Sequence, residues 1–320
     1  MNFVDYSNQG SKKISFFKKL IRKITLLLRY PFLIFVVLFL KLRKKKDFKY
    51  KVSLCLIFKD EEKYLDEWLT FHRLIGVDHF YLYNNNSSDN FRAILSSYIN
   101  EGLVTLIDWP HDYQQVEAYK DCYERFRAET QWLGFIDTDE FLNILEDNDI
   151  KDFLSKFDSF PALYFQWKMF GTSGLIKEDT AVPVIERFTQ CWDNLCTRGK
   201  CFINNLYPSF SIKIHSHHAN LGFIKMPGVS VNKSITYNKY ILCTRRIDEI
   251  AYLNHYWSKS LEFQRYKDFV KSDVSKKSNE ILKKDDKRFF YHELNNKTKD
   301  FSIQRWLLFL KESLNAQKHL

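Results

Sequence analysis

The chain has 320 residues, 45% of them apolar and 17% aromatic, which is enough for one large α/β domain or two small ones with a filled core. Its net charge of +10 divides unevenly: residues 1–51 hold 14 Lys/Arg against 2 Asp/Glu, a balance of +12, and the remainder holds 35 against 37, or −2. A body so balanced excludes a nucleic-acid groove, because that surface needs phosphate-neutralising cations spread over the binding face.

Within the basic arm, residues 24–40 are apolar apart from Thr25 and Arg29, with six basic residues in 12–23 and seven more in 41–51. The stretch is at the short limit for a membrane span, and Arg29 and Pro31 in its interior weaken a span further. The pattern predicts a helix in the interface of an anionic membrane, held by apolar burial and by roughly 1 kcal/mol per nearby Lys/Arg. The run from Lys41 to Lys46 argues against a cleaved signal peptide. The same run puts the body on the cytoplasmic face of the inner (plasma) membrane, peripheral or single-pass. The six cysteines read as buried thiols of a reducing compartment. Cys191, Cys196 and Cys201, with His215, His217 and His218 downstream, lack the two-residue gap of a zinc knuckle.

The body opens with a buried strand at 52–58. A helix follows with Tyr64, Leu65, Trp68, Phe71, His72 and Ile75 on one face, acidic residues in its first turn and Gly76 at its stop. A second strand at 79–83 ends in the polar loop 84–90, whose last residues are placed to cap a helix over about 91–99. A third strand at 102–108 and a helix over about 115–127 lead to the stretch Trp132–Leu142. Strands alternating with helices predict a doubly wound, mostly parallel, Rossmann-like sheet. No Gly-x-Gly-x-x-Gly or Walker lysine loop is present, which weighs against a dinucleotide dehydrogenase and a P-loop enzyme.

Trp132–Leu142 reads as a buried strand stopping at three acidic residues, where an open α/β sheet collects its ligands. In extended chain Asp137 and Asp139 face the same way, so both carboxylates can reach one hard cation, Mg²⁺ or Mn²⁺. Acidic residues after a strand are also common turn formers and caps. The loops after the first two strands offer Asp60, Asn84 and Asp89 to a base and ribose in the same crevice.

Several segments in this order resemble glycosyltransferases of family 92 and the related family-2-like group, bacterial and animal. They are Ile57–Glu62, Tyr83–Asp89, Phe135–Phe141, Trp167–Gly174, Glu186–Phe188 and Asn254–Ser260. The resemblance spans about residues 52–270 and implies a GT-A fold, a nucleotide-diphosphate sugar donor, a Mn²⁺-type metal and inversion at the anomeric carbon. The segment Arg198–Asn205, around Lys200, departs from the pattern. By resemblance Asp139 coordinates the metal directly, Asp137 contacts metal or ribose through water, and His255 is the best-placed third ligand, with His215, His217 and His218 as competitors. A general base must take the acceptor's proton, and Glu186, Asp193 and Glu140 are the candidates. Lys259 and Arg187 are placed to contact the diphosphate, and Trp167 and Phe170 to stack on a sugar.

The expected organisation is a membrane-associating arm (1–51), a GT-A glycosyltransferase domain (52–270) and a C-terminal helical segment (271–320). The expected activity is transfer to a glycan or lipid-linked acceptor in lipopolysaccharide or capsule assembly, with a metal-dependent nucleotide-sugar hydrolase and a non-catalytic membrane scaffold as rivals.

Overall fold

A computed structural model describes residues 46–317 apart from 113, 197, 208–209, 216, 222–223, 228, 233–248 and 270–285. The membrane-associating helix expected at 24–40 lies outside the described residues, and none of the described helices is long and apolar enough to cross a membrane.

The first half alternates as its hydrophobic pattern requires. It runs β1 (Tyr50–Phe58), α1 (Glu62–Leu74), β2 (His79–Asn84), α2 (Phe91–Asn100), β3 (Val104–Asp108), α3 (Gln115–Phe126) and β4 (Thr130–Phe135). These four strands pair in parallel in the order β3-β2-β1-β4. Alternate residues of β1 enter opposite cores: Val52, Leu54, Leu56 and Phe58 join one with Trp68 and Phe71 of α1, while Cys55 and Ile57 join another with Tyr119 and Cys122 of α3. Helices therefore cover both faces, as in a doubly wound sheet.

Beyond β4 the pairing is mixed rather than mostly parallel. The chain continues through β5 (Glu140–Ile144), α4 (Ile150–Ser155), β6 (Ala162–Met169), α5 (Val184–Arg187), β7 (Gln190–Trp192) and β8 (Gly199–Asn204). It then runs through β9 (Phe210–Ser211), β10 (His218–Leu221), β11 (Ile224–Pro227), β12 (Val229–Ser230) and β13 (Ala251–His255). It closes with α6 (Leu261–Phe269), α7 (Asp286–Leu294), β14 (Asn296–Lys299), a 3₁₀ turn (Ser302–Trp306) and α8 (Leu307–Gln317). The main sheet extends as β4-β8-β6-β13-β5, with β8 antiparallel to both neighbours, β13 parallel to β6 and β5 antiparallel to β13.

The close approach of β8 to its neighbours depends on two glycines. Gly134 leaves room for the Phe202 ring, which lies 2.5 Å from where a Cβ would sit. At Gly199 a Cβ would meet the Phe165 carbonyl at 1.9 Å. The C-terminal segment is docked on the domain: β14 pairs with β7, and Ile303 and Leu310 are buried in the core that holds α1. Of the stripe expected there, Trp306, Leu307 and Leu314 are partly buried against the same core.

A half-buried carboxylate joins α1 to α5. Glu67 accepts the Val184 and Ile185 amides at 2.9 and 3.4 Å. Burial pushes its carboxyl up to about 7 from the ordinary 4.5, against those two bonds and the charges of Arg187 and Lys259. A raised folded pKa means that the folded state holds the extra proton, so this contribution to stability is fully present below about pH 4.5 and lost as pH rises through about 7. Relative to Glu67→Gln, the wild type is expected to lose about 2–3 kcal/mol between pH 5 and pH 8, read from urea midpoints.

Candidate active site

The stretch expected as one strand is two strands joined by a tight turn. β4 ends at Phe135, Thr138 and Asp139 are turn residues, and β5 begins at Glu140. The Glu140 amide donates to the Asp137 carbonyl at 3.0 Å, and the Asp137 amide donates back to Glu140 Oε2 at 2.9 Å. Trp68 Nε1 braces the turn from α1, donating to the carbonyls of Asp137 and Glu140 at 3.1 and 3.0 Å. Asp137 and Asp139 are thus presented by a turn, not by extended chain, and they meet different partners.

Asp137 is held from below. Its Oδ1 accepts from Gln115 Nε2 at 3.2 Å and from the Tyr119 hydroxyl at 3.1 Å, two residues one turn apart on α3. Its Oδ2 accepts from Lys200 Nζ at 2.7 Å. The register Trp132↔Asn204 to Gly134↔Phe202 carries the start of β8 past the end of β4, which brings Lys200 to the turn. Lys200 is fully buried and also lies 3.9 Å from Glu140 Oε2. Although burial opposes its charge, Asp137 and Glu140 raise its pKa, so it stays an ammonium. Glu140 is driven the other way: burial, aided by Asp137 and Asp139, raises its carboxyl well above the usual range despite Lys200. Its Oε2 receives the Asp137 amide and faces Lys200, so the carboxyl is built into the turn.

Asp139 faces the C-terminal half of the sheet. Strand β13 pairs His255 with Glu140, so the imidazole arrives beside Asp139 with Nε2 at 3.6 Å from Oδ1. Lys267 of α6 donates to Oδ2 at 3.2 Å. Burial penalises the charge, yet Lys267, His255 and Lys259 hold the Asp139 carboxyl well below the ordinary carboxylate range. Trp167 lies against both neighbouring imidazoles, 4.5 Å from the His255 ring and 5.2 Å from that of His215. Burial first, and Lys200 next, lower His215 to about 4, so it is neutral. Around this cluster Glu140 Oε1, Trp167 Nε1, His215 Nδ1 and His255 Nδ1 are buried without a hydrogen-bond partner. Buried polar atoms are normally satisfied, so a concentration of orphans marks where a polar ligand or water belongs.

Most of the remaining expected residues are engaged by other protein groups. Asp60 accepts the Ser88 amide at 2.7 Å, Asn84 bridges the Ser87 amide and Asp108, and Asp89 accepts the Glu62 amide at 2.7 Å. Their polar atoms knit the loops beyond β1, β2 and β3, and Asp89 caps α1. Lys259 is buried with its ammonium 3.3 Å from the Tyr64 ring centroid and 4.3 Å from that of Phe263, in place of an exposed diphosphate contact. Glu186 sits on a short helix and pairs with Lys311 of α8 at 2.6 Å. Arg187 pairs with Glu178 at 2.6 Å. Asp193 is exposed on the loop after β7, whose Cys196 amide reaches the Trp167 carbonyl at 2.7 Å. Phe170 is fully buried, a core residue rather than a sugar platform.

Among the described residues no three His, Cys, Asp or Glu side chains gather as a metal-binding group, so neither the Asp137, Asp139 and His255 triad nor a zinc cluster at the cysteines is assembled. Asp139 and His255 alone make an oxygen and nitrogen pair facing each other. Such a pair suits a hard divalent ion that takes its other ligands from water and phosphate.

Comparison with known proteins converges on one family. The pattern for glycosyltransferase family 92 matches residues 49–288. A glycosyltransferase family 92 protein of Oryza sativa subsp. japonica is 30% identical over 132 residues, which is 40% of this chain and 23% of that protein. One of Ricinus communis is 28% identical over 139 residues, 40% of this chain and 24% of its own length. A galactan beta-1,4-galactosyltransferase of Arabidopsis thaliana is 33% identical over 89 residues, 24% of this chain and 18% of that one. The match thus spans about a quarter of the family 92 relatives' own length. Among solved structures, S. aureus TarS 1-349 in complex with UDP-GlcNAc is similar at a TM-score of 0.32 and 19% identity, over 40% of this chain and 37% of that one. The turn after β4, its buried lysine and the histidine of β13 all lie inside the matched residues, and the chain belongs to glycosyltransferase family 92.

Proposed function

We propose that the chain is an inverting glycosyltransferase of GT-A type that moves a sugar from a nucleotide-diphosphate donor to a hydroxyl of a glycan or lipid-linked acceptor, with Mn²⁺ or Mg²⁺. The observation that carries this reading is the Asp139 carboxylate facing His255 Nε2 at 3.6 Å, ringed by buried polar atoms without partners. Asp139 and His255 are the residues that would hold the cation. When bound there, it supplies Lewis-acid charge to the departing diphosphate.

The chain's own residues do the rest. Lys267 adds positive charge on the open side of Asp139, where charge builds on the leaving group. The unpartnered Trp167 Nε1 and neutral His215 offer hydrogen bonds to donor oxygens. Glu140 holds the turn through Oε2 and leaves Oε1 without a protein hydrogen-bond partner for a ligand or water. Asp193, exposed on the loop that touches the Trp167 strand, is the base we assign to the acceptor hydroxyl. The charge of the basic arm supports a reaction at the cytoplasmic face of an anionic membrane, on a lipid-carried acceptor in cell-surface polysaccharide assembly.

A thermal-shift screen of nucleotide sugars with and without Mn²⁺ tests this reading. Stabilisation by a donor only when Mn²⁺ is present supports it. Full-rate donor turnover without any acceptor identifies a hydrolase instead.

A further inference from the structure

We infer that the two aspartates of the turn have separate duties: Lys200 is a built-in counter-ion that withholds Asp137 from the cation, leaving Asp139 and His255 as its protein ligands among the described residues. The inference rests on the metal reading proposed above and divides its labour.

Both carboxylate oxygens of Asp137 are already engaged, Oδ1 by Gln115 and Tyr119 and Oδ2 by Lys200 at 2.7 Å. The Lys200 side chain is 0% exposed, against 34% for Asp137, so its ammonium has no route to water if Asp137 turns toward a metal. Taking one partner from a buried pair strands a charge in the interior, the costly arrangement for ions in proteins. Asp139 differs in this respect. The Lys267 beside it is 30% exposed and can pass its charge to solvent.

Lys200 also reaches both ends of the turn that carries Asp139. It bonds Asp137 and lies 3.9 Å from Glu140 Oε2, which receives the Asp137 amide. The strand beneath it is fixed, because β8 is held on both edges and the tight approach at Gly199 admits no Cβ. The Lys200 ammonium is thus anchored beside Asp137 by a fixed strand.

The test is Mn²⁺ binding by the full chain without nucleotide, followed by the paramagnetic resonance of free Mn²⁺. The double variant Asp137→Asn with Lys200→Met removes the pair as a neutral unit, and its affinity is expected within about threefold of wild type. Asp139→Asn is expected to weaken binding at least about tenfold. A loss in the double variant equal to that of Asp139→Asn overturns the inference while leaving the metal reading standing. Failure of the wild type to take up Mn²⁺ with or without nucleotide overturns the metal reading itself. Should the double variant not fold, a wild-type crystal soaked in Mn²⁺ decides: Lys200 still bonded to Asp137 supports the division, and Mn²⁺ bonded to Asp137 overturns it.

Discussion

Asp139→Asn is expected to lower sugar transfer by about a thousandfold or more, since a site losing its charged ligand loses stabilisation of the leaving diphosphate worth about 4 kcal/mol or more. The substitution keeps shape and removes charge. Its Lys267 partner is partly exposed and can rehydrate, so the fold should survive with a near-normal melting temperature. The measurement is nucleoside-diphosphate release in saturating Mn²⁺ beside a calorimetric scan. A variant equally inactive but unfolded says nothing of chemistry, so both readings are needed.

Lys200→Met is expected to act on stability first. It leaves Asp137 with two neutral donors and no cation, beside a buried Glu140 that Lys200 also serves. Asp137 is 34% exposed and keeps those two donors, so the loss is expected at about 1–3 kcal/mol, below that of stranding a fully buried charge, with a corresponding fall in the urea midpoint. Adding Asp137→Asn should recover most of that loss, because the remaining site is again neutral. Equal destabilisation in the single and double variants would show that Lys200 contributes by packing alone.

The first half of the fold was legible because its strands are buried on both faces and its helices carry one apolar stripe. The strands expected at 52–58 and 79–83 and the helices over 91–99 and 115–127 appear within about two residues of their predicted limits. The run 132–142 misled because Phe141 and Leu142 are as apolar as Leu133 and Phe135. What divides them is a turn closed by Glu140 and braced by Trp68, an interaction across 72 residues. The same limit hides β8. Its antiparallel insertion beside β4 depends on distant pairing, and Lys200 within it stands out only as a lysine among Gly199, Cys201, Phe202 and Ile203.

Residues chosen for their polarity divided similarly. Asp139 and His255 meet because β5 and β13 pair, whereas Asp60, Asn84 and Asp89 satisfy nearby backbone amides, as short polar side chains do in loops. Glu186 and Lys259 found a surface lysine and an aromatic ring, partners that sequence spacing does not reveal. Lys267 was missed because a single lysine on a helix carries no local signal.

Donor turnover by the purified full chain before and after exhaustive chelation is the most direct measurement of a cation held by Asp139 and His255. Loss of transfer on chelation, with recovery on adding Mn²⁺ in the wild type but not in Asp139→Asn, is the expected result. An undiminished rate in chelated protein would contradict the account.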